Sequence, residues 1–176
     1  MSWVGGVDLV GMTEGAEQPN YIIHVASWVT TPLGSGPAGM ILIQPDPSGP
    51  PELMEFISSN PETGAYFGPK IFAGTPFENA PVLEADISVD STPDSVTSRI
   101  KIGDQEIVCV LSKLGELEKI EREPGAMTPF SQQGLEAPAG EAKLTINGKE
   151  VPVTVPPIGI TGGPGAVSTP AGIYAR

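Results

Sequence analysis

Hydrophobic and polar residues alternate one by one over several stretches of the chain, which is the pattern of strands that bury one face of a sheet. The clearest stretch is 83–90, where Leu83, Ala85, Ile87 and Val89 alternate with three acidic residues and a serine. A Ser-Thr-Pro-Asp sequence follows and signals a reversal of the chain. We therefore expect 82–111 to form a three-stranded antiparallel meander.

Two short turns interrupt the same pattern. A Gly-Asp pair at 103–104 and an Asn-Gly pair at 147–148 each stand between two alternating runs, as in β-hairpins with two-residue turns. Such turns fix the register of the strands that they join. The predicted cross-strand partners are Lys101 with Glu106, Ile100 with Ile107, Leu144 with Val151 and Thr145 with Glu150.

Helical patterns are scarce. The best candidate is 51–59, where a proline would begin the first turn and Leu53, Phe56 and Ile57 would share one side. Further strands are predicted at 3–10, 21–29, 40–44, 70–73 and 172–175, which gives about nine or ten strands in all.

These elements predict an all-β fold with at most one or two short helices. Two architectures fit that number of strands, because both protect the edges of the sheet. One is a small antiparallel β-barrel, a meander of lipocalin-like general shape, and the other is a two-layer sandwich. We expect 1–176 to form a single domain, with loops rich in Pro and Gly at 124–140 and 156–170.

Composition and charge exclude several classes of partner. The chain of 176 residues has a net charge of -12, and 1–69 contains no Lys or Arg. Binding to nucleic acid or to anionic lipid needs clustered basic residues, so we expect neither partner. No apolar run approaches the roughly 20 residues of a spanning helix. The N-terminal sequence also lacks the pattern of a signal peptide, so we expect a cytoplasmic protein of bacterial type.

Cysteine and histidine occur once each, as Cys109 and His24. This excludes an intramolecular disulfide and the metal sites built from several His and Cys residues. The glycines at 34–39 match the spacing of a dinucleotide-binding loop, but the apolar run that follows is typical of a strand and not of a helix. We therefore predict no cofactor and no metal.

The segment 21–29 is the best candidate for a functional site, because it is apolar on both predicted faces and contains His24. Ile22 and Trp28 share the predicted face of His24, whereas Tyr21 lies on the other face. Asp8 is a second candidate, because it interrupts an apolar strand, where burial would raise the pKa of a carboxyl. The candidate catalytic residues are His24, Asp8 and Tyr21, and the candidate ligand-binding residues are Trp28, Met40 and Ile22.

Two functional hypotheses follow. In the first, the interior binds a small apolar or amphipathic molecule, with or without acid–base catalysis that needs no cofactor, as in an isomerase, cyclase or lyase. In the second, the protein is structural and forms a homo-oligomer through arms rich in Pro and Gly. A pocket that contains His24 favours the first hypothesis, and a filled core with extended arms favours the second.

Overall fold

A computed structural model describes residues 1–125 and 129–175. Most of them lie in strands, as the all-β prediction requires, and within this part of the chain there is one α-helix. The elements in chain order are β1 (Ser2–Gly11), β2 (Tyr21–Thr31), β3 (Gly34–Ile43), β4 (Leu53–Ser58), α1 (Pro61–Ile71), β5 (Val82–Glu84), β6 (Asp86–Ser91), β7 (Ser95–Ile102), β8 (Gln105–Leu114), β9 (Glu118–Arg122), β10 (Ser131–Ile146), β11 (Lys149–Val151) and β12 (Ala166–Ala175).

All 12 strands belong to one sheet in the order β5-β4-β3-β2-β1-β12-β10-β8-β7-β6, with β9 and β11 also paired to β10. The long strand β10 divides the sheet into two layers. Its first half pairs with β12 and β9, and its second half pairs with β8 and β11. The terminal strands β5 and β6 of this order are not paired with each other. The sheet is therefore not closed into a barrel.

The two layers pack face to face through an apolar core, which we call the inner core. Alternate residues of β1 to β4 form one side of it, including Val7, Leu9 and Ile23. Residues of β6, β7 and β8 form the other side, including Ile100 and Cys109. Burial raises the pKa of the Cys109 thiol to about 12, and the charge of Asp8 adds to this effect. At this position the thiol is a small apolar side chain and not a nucleophile.

The opposite face of the first layer is also covered, by α1 and by the chain that follows it. Asn60 caps the helix by accepting a hydrogen bond from the Glu62 backbone N–H at 3.1 Å, and Pro61 is the first helical residue. The helix presents Phe67 and Ile71 to the sheet, where they pack with Phe56 in what we call the outer core. The first layer is thus buried on both faces.

The local sequence predictions have different outcomes. Both hairpins are confirmed with the four predicted cross-strand partners, and the antiparallel meander is confirmed from Asp86 onward, over β6, β7 and β8. Its predicted first residues, 82–84, instead form β5, which pairs in parallel with β4. Asn147 and Gly148 both have positive φ, of 51° and 74°, as a tight two-residue hairpin turn requires.

The helix predicted at 51–59 is wrong, because Leu53–Ser58 forms β4 and the helix begins after it at Pro61. A proline does begin the helix that forms, but it is Pro61 and not the predicted Pro51. The strand predicted at 70–73 is also wrong, since Lys70 and Ile71 end the helix. The predicted loops are shorter than expected, because β10 begins at Ser131 and β12 at Ala166. Residues 126–128 of the first predicted loop lie outside the described residues.

The described part of the chain contains no helix with the length and apolar character that crossing a membrane demands.

Candidate functional site

Asp8 and His24 are direct cross-strand neighbours on β1 and β2. Both side chains point into the outer face of the first layer, and each is about one tenth exposed, 11% for Asp8 and 12% for His24. His24 Nδ1 is hydrogen-bonded to Asp8 Oδ1. Because an ionised carboxylate only accepts hydrogen bonds, His24 Nδ1 carries the proton in this contact, both in the neutral ring and in the imidazolium.

Two phenyl rings, those of Phe67 and Phe72, pack against the imidazole of His24. Phe67 of α1 stacks on the His24 ring with centroids 5.7 Å apart and an interplanar angle of 20°, and Phe72 meets it edge-on at 5.7 Å. The second ring nitrogen, Nε2, has no hydrogen-bond partner among the described residues. The imidazole is therefore held in place, with one nitrogen free to exchange a proton.

Polar side chains continue from this pair across the outer face to β10 and β9. The carboxylate of Glu136 on β10 is almost fully buried and accepts two hydrogen bonds from Arg122 of β9, at 2.6 and 2.7 Å. Gln132 Oε1 accepts a further bond from Arg122 Nη1 at 3.3 Å. The hydrogen bonds that Arg122 donates to Glu136 raise the pKa of the guanidinium above its ordinary value. Glu136 lies at the β-bulge between Leu135 and Ala137, where the register of β10 against β12 shifts.

Tyr174 of β12 lies between these two groups. It is 4% exposed, and its hydroxyl has no hydrogen-bond partner within 1–125 and 129–175. Burial raises the pKa of the phenol, and the negative charges of Asp8 and Glu136 raise it further, against the opposing effect of Arg122. The hydroxyl consequently stays protonated and able to donate at physiological pH. The hydroxyls of Thr63 and Ser98 are also buried without a partner among the described residues, but Tyr174 is the one of the three that lines the cleft described next.

These groups surround a narrow cleft between the sheet and α1. Its walls include Trp3, Asp8, His24, Phe67, Gln132 and Tyr174. About 320 Å³ lies between the walls, part of it open to solvent, and the free centre holds about one water molecule. The Trp3 and Tyr174 rings pack together with centroids 4.7 Å apart.

Gly6 contributes space to this cleft. A Cβ atom at that position would collide with Thr169 Oγ1, which accepts a hydrogen bond from Trp3 Nε1 at 3.3 Å. Any side chain at Gly6 would therefore disturb the wall that Trp3 and Thr169 form.

The segment between β11 and β12 covers the polar groups from outside. Gly159, Ile160, Thr161 and Pro164 lie against Asp8, Ile22 and His24, and the gap between the two sets of residues has no room for a water molecule. The backbone of Gly163 lies close to the ion pair, since a Cβ there would come within 2.7 Å of Arg122 Nη2 and 2.9 Å of Glu136 Oε2. The absence of a side chain at Gly163 lets this segment close over the site.

The sequence-predicted residues are only partly brought together. Asp8 and His24 are in contact, and Met40 is the β3 neighbour of His24 in the sheet register. Ile22 lies beside Asp8 and His24 under the segment 159–164 and does not line the cleft. Tyr21 belongs to the inner core on the opposite face, where burial raises its pKa. Trp28 is 50% exposed and does not line the cleft.

The position of Trp28 differs from the prediction because β2 does not alternate regularly. The register of β2 against β3 shifts between Ala26 and Val29, so Val29 joins Ala26 on the outer face and Trp28 does not. An extra residue in a strand moves every later side chain to the other face. Trp3 takes the position in the cleft that was predicted for Trp28.

Sequence reasoning missed the groups contributed by β9, β10 and β12. Gln132 and Glu136 lie in the segment predicted as a loop. One signal was present: Glu136 stands in Gly-Leu-Glu-Ala, an acid among small and apolar residues, as Asp8 does in Val-Asp-Leu-Val. Tyr174 falls in a predicted strand, but its partners across the sheet could not be read from the sequence.

Comparisons with known proteins add no relative: no protein-family model, no curated protein and no solved structure matches this chain. Among the described residues, no group of three or more His, Cys, Asp and Glu side chains is arranged to hold a metal ion.

Proposed function

We propose that the protein is an enzyme that binds a small amphipathic molecule in this cleft and moves protons on it through His24 and Asp8, as an isomerase, cyclase or lyase does. The observation that carries the proposal is the hydrogen-bonded Asp8–His24 pair, which lies at a cleft with aromatic walls. In this proposal the aromatic walls bind the apolar part of the molecule, and the Asp8–His24 pair moves the proton.

The pair has the arrangement of a general base. Asp8 accepts a hydrogen bond from His24 Nδ1–H. In the neutral ring, the lone pair on Nε2 is then available to accept a proton from a bound molecule. The carboxylate then stabilises the imidazolium that forms, as in enzymes that use an Asp–His pair. The stacking of Phe67 on the ring keeps Nε2 in one direction.

The walls favour an amphipathic molecule. Trp3 and Phe67 provide apolar surface, while Tyr174 and Gln132 provide polar groups at one side. Pockets of this composition bind small molecules by apolar burial and orient them with a few polar contacts. Because the free centre holds about one water molecule, a ligand binds by displacing side chains of the wall, and this restricts the site to small substrates.

The alternative is an assembly protein that forms a homo-oligomer through arms rich in Pro and Gly. Much of the expected arms packs on its own chain: Ser131 to Ile146 form β10, Ala166 to Ala175 form β12, and Gly159, Ile160, Thr161 and Pro164 lie against Asp8 and His24. This packing favours the enzyme over the assembly protein.

A generic probe tests the base without knowledge of the substrate. In 5-nitrobenzisoxazole, a base removes the ring C–H proton, that electron pair forms a nitrile, and the N–O bond breaks to give a coloured phenolate. We expect the protein to accelerate this reaction, with the proton passing to His24 Nε2. The substitution His24→Gln should lower the rate about 100-fold, the usual scale for loss of a general base.

Two variants control this experiment. Asp8→Asn should also lower the rate, because it removes the acceptor that orients the ring, whereas Asp104→Asn, in the exposed hairpin turn, should not change it. Circular dichroism confirms that each variant is folded. Equal rates for the wild-type protein and His24→Gln would show that His24 is not the base.

A further inference from the structure

We infer that the Tyr174 hydroxyl and the Gln132 side-chain amide bind the oxygen of a carbonyl group, so that the substrate is a carbonyl compound from which His24 removes the adjacent carbon-bound proton. This inference rests on the proposed function and adds the class of substrate to it. It is carried by two hydrogen-bond donors that line the cleft and have no partner in the described protein.

Tyr174 is the stronger of the two observations. Its hydroxyl is enclosed by protein, and the described residues offer it no hydrogen bond. Leaving a buried hydroxyl unpaired destabilises a fold by about 1–3 kcal/mol, so the position is explained if a ligand atom completes the bond. The raised pKa of the phenol keeps its proton in place, and the hydroxyl therefore acts as a donor to that atom and not as a base.

Gln132 supplies a second donor next to the first. Gln132 and Tyr174 are direct cross-strand neighbours on β10 and β12. The guanidinium of Arg122 only donates hydrogen bonds, so the amide oxygen of Gln132 must face it, and that contact measures 3.3 Å. The amide nitrogen Nε2 faces elsewhere and has no partner within the described chain.

The charges around the cleft suit an oxygen that becomes negative during the reaction. The Glu136 carboxylate is fully engaged by Arg122, and the Asp8 carboxylate is engaged by His24. When His24 takes a proton it becomes a cation, which balances the negative charge that forms on the substrate. Preorganised donors at the position of a developing oxyanion are among the largest contributions to catalysis.

The chemical step follows from this placement. His24 Nε2 removes a proton from the carbon next to the carbonyl group, the C–H electron pair forms a carbon–carbon double bond, and the carbonyl electron pair moves to the oxygen. Tyr174 and Gln132 donate to that enolate oxygen. If the substrate has a carbon–carbon double bond next to the deprotonated carbon, the enolate is a dienolate; its far carbon takes the proton back from the imidazolium while the carbonyl reforms, and the double bond has moved. If the neighbouring carbon instead bears a leaving group, the carbonyl reforms, the electron pair of the enolate makes a new carbon–carbon double bond, and the leaving group departs with its bonding pair and the proton of the imidazolium.

A phenol tests the inference without turnover. Bound 4-nitrophenol that gives its proton to His24 mimics the enolate and the imidazolium together, and its phenolate form absorbs visible light. We expect the wild-type protein to bind 4-nitrophenol and to show the phenolate spectrum at a pH at which the free compound is largely protonated. In His24→Gln the bound compound should remain a neutral phenol.

Tyr174→Phe is the decisive variant. It should weaken 4-nitrophenol binding by about 10- to 100-fold, the range for one hydrogen bond to a charged atom. Because the hydroxyl has no partner among the residues that the structure describes, its removal should not lower the melting temperature, whereas removal of a structural hydrogen bond would. Tyr66→Phe, a half-buried helix residue that does not line the cleft, should bind as the wild-type protein does.

The outcomes separate the inference from the proposed function. Wild-type affinity for 4-nitrophenol in Tyr174→Phe, or no binding by the wild-type protein, overturns the inference. If His24→Gln still slows the opening of 5-nitrobenzisoxazole, the proposed function survives that result. Equal opening rates in wild-type and His24→Gln overturn the proposed function, whatever the phenol does.

Discussion

The two faces of the first layer are built from the same strands but differ in chemistry. In β1, Val7 and Leu9 point into the inner core, while Asp8 between them points to the outer face. In β2, Ile23 and Val25 point inward, and His24 points outward. Alternation in a strand therefore separates two roles by a single residue: the inward side chains hold the layers together, and the outward ones form the site.

Different elements pack on the inner and the outer face of the first layer. A second sheet layer covers the inner face, with Ile100, Ile107 and Leu144 fully buried. One helix and the segment 156–165 cover the outer face, and they leave a cleft that Asp8, His24 and Tyr174 line. Stability is concentrated on the first face, while the second keeps polar groups that an apolar core would exclude. Three further experiments test this division.

The largest effect is expected in the inner core. Ile100→Ala removes a fully buried side chain of β7 and leaves a cavity between the layers. It should lower the free energy of unfolding by about 4 kcal/mol, within the range for such truncations. Urea unfolding measures the loss. The folded variant should open 5-nitrobenzisoxazole at the wild-type rate, and a large change in that rate would show that the two faces are coupled.

A smaller loss is expected from the ion pair on the outer face. Glu136→Leu leaves the Arg122 guanidinium without its carboxylate, and it should cost about 3 kcal/mol. This is the lower end for a broken buried pair, because the Arg122 side chain keeps 24% of its surface in contact with solvent.

The double variant Glu136→Leu with Arg122→Met checks the reason for this loss. Replacing both charged groups by apolar ones should restore most of the stability, because no unpaired charge is left behind. Urea unfolding of the two variants gives the comparison. A double variant no more stable than Glu136→Leu alone would mean that shape, and not charge, determines the cost.

The smallest effect concerns pH and the inner core. The unfolded thiol of Cys109 ionises near pH 9, whereas burial raises its pKa in the folded protein to about 12. Above pH 9 the unfolded chain releases this proton and the folded protein keeps it, so stability falls as the pH rises. The loss should be about 1.4 kcal/mol per pH unit.

Cys109→Ala provides the matched control. Between pH 9 and 10 the thiol ionises in the unfolded chain to a greater extent than the tyrosines do, and the slope of stability against pH should be lower in this variant by the contribution of the thiol. An unchanged slope would place the alkaline sensitivity in other groups.

Local patterns predicted much of the fold, because hairpin turns and strict alternation act over a few residues. The Asn147–Gly148 turn and the pairing of Lys101 with Glu106 are examples. The helix was misplaced because Leu53, Phe56 and Ile57 match a helical spacing, yet the pairing of β4 with β3 and β5 makes this segment a strand. Tertiary pairing overrides local propensity in such cases.

The sequence predicted only the part of the site that lies on the neighbouring strands β1 and β2. Asp8 and His24 stand out as polar residues in apolar strands, and the sequence alone indicated both. Their contact depends on the register of β1 against β2, which no local pattern specified. Trp28 was misplaced because an irregularity in β2 reverses the faces beyond Ala26. Tyr174 joins the site through pairing across almost the whole chain, which is beyond the reach of periodicity.

Strand β12 sits between β1 and β10 and joins the Asp8–His24 side of the cleft to the Arg122–Glu136 side. Val4 pairs with Ala171, so the middle of the sheet depends on contacts between residues far apart in sequence. Such contacts form slowly, because closing a long loop costs entropy before the pairing is gained. During synthesis, β1 and β10 expose unpaired edges until β12 emerges, and exposed edges promote aggregation. The net charge of -12 provides a repulsion between nascent chains during that interval.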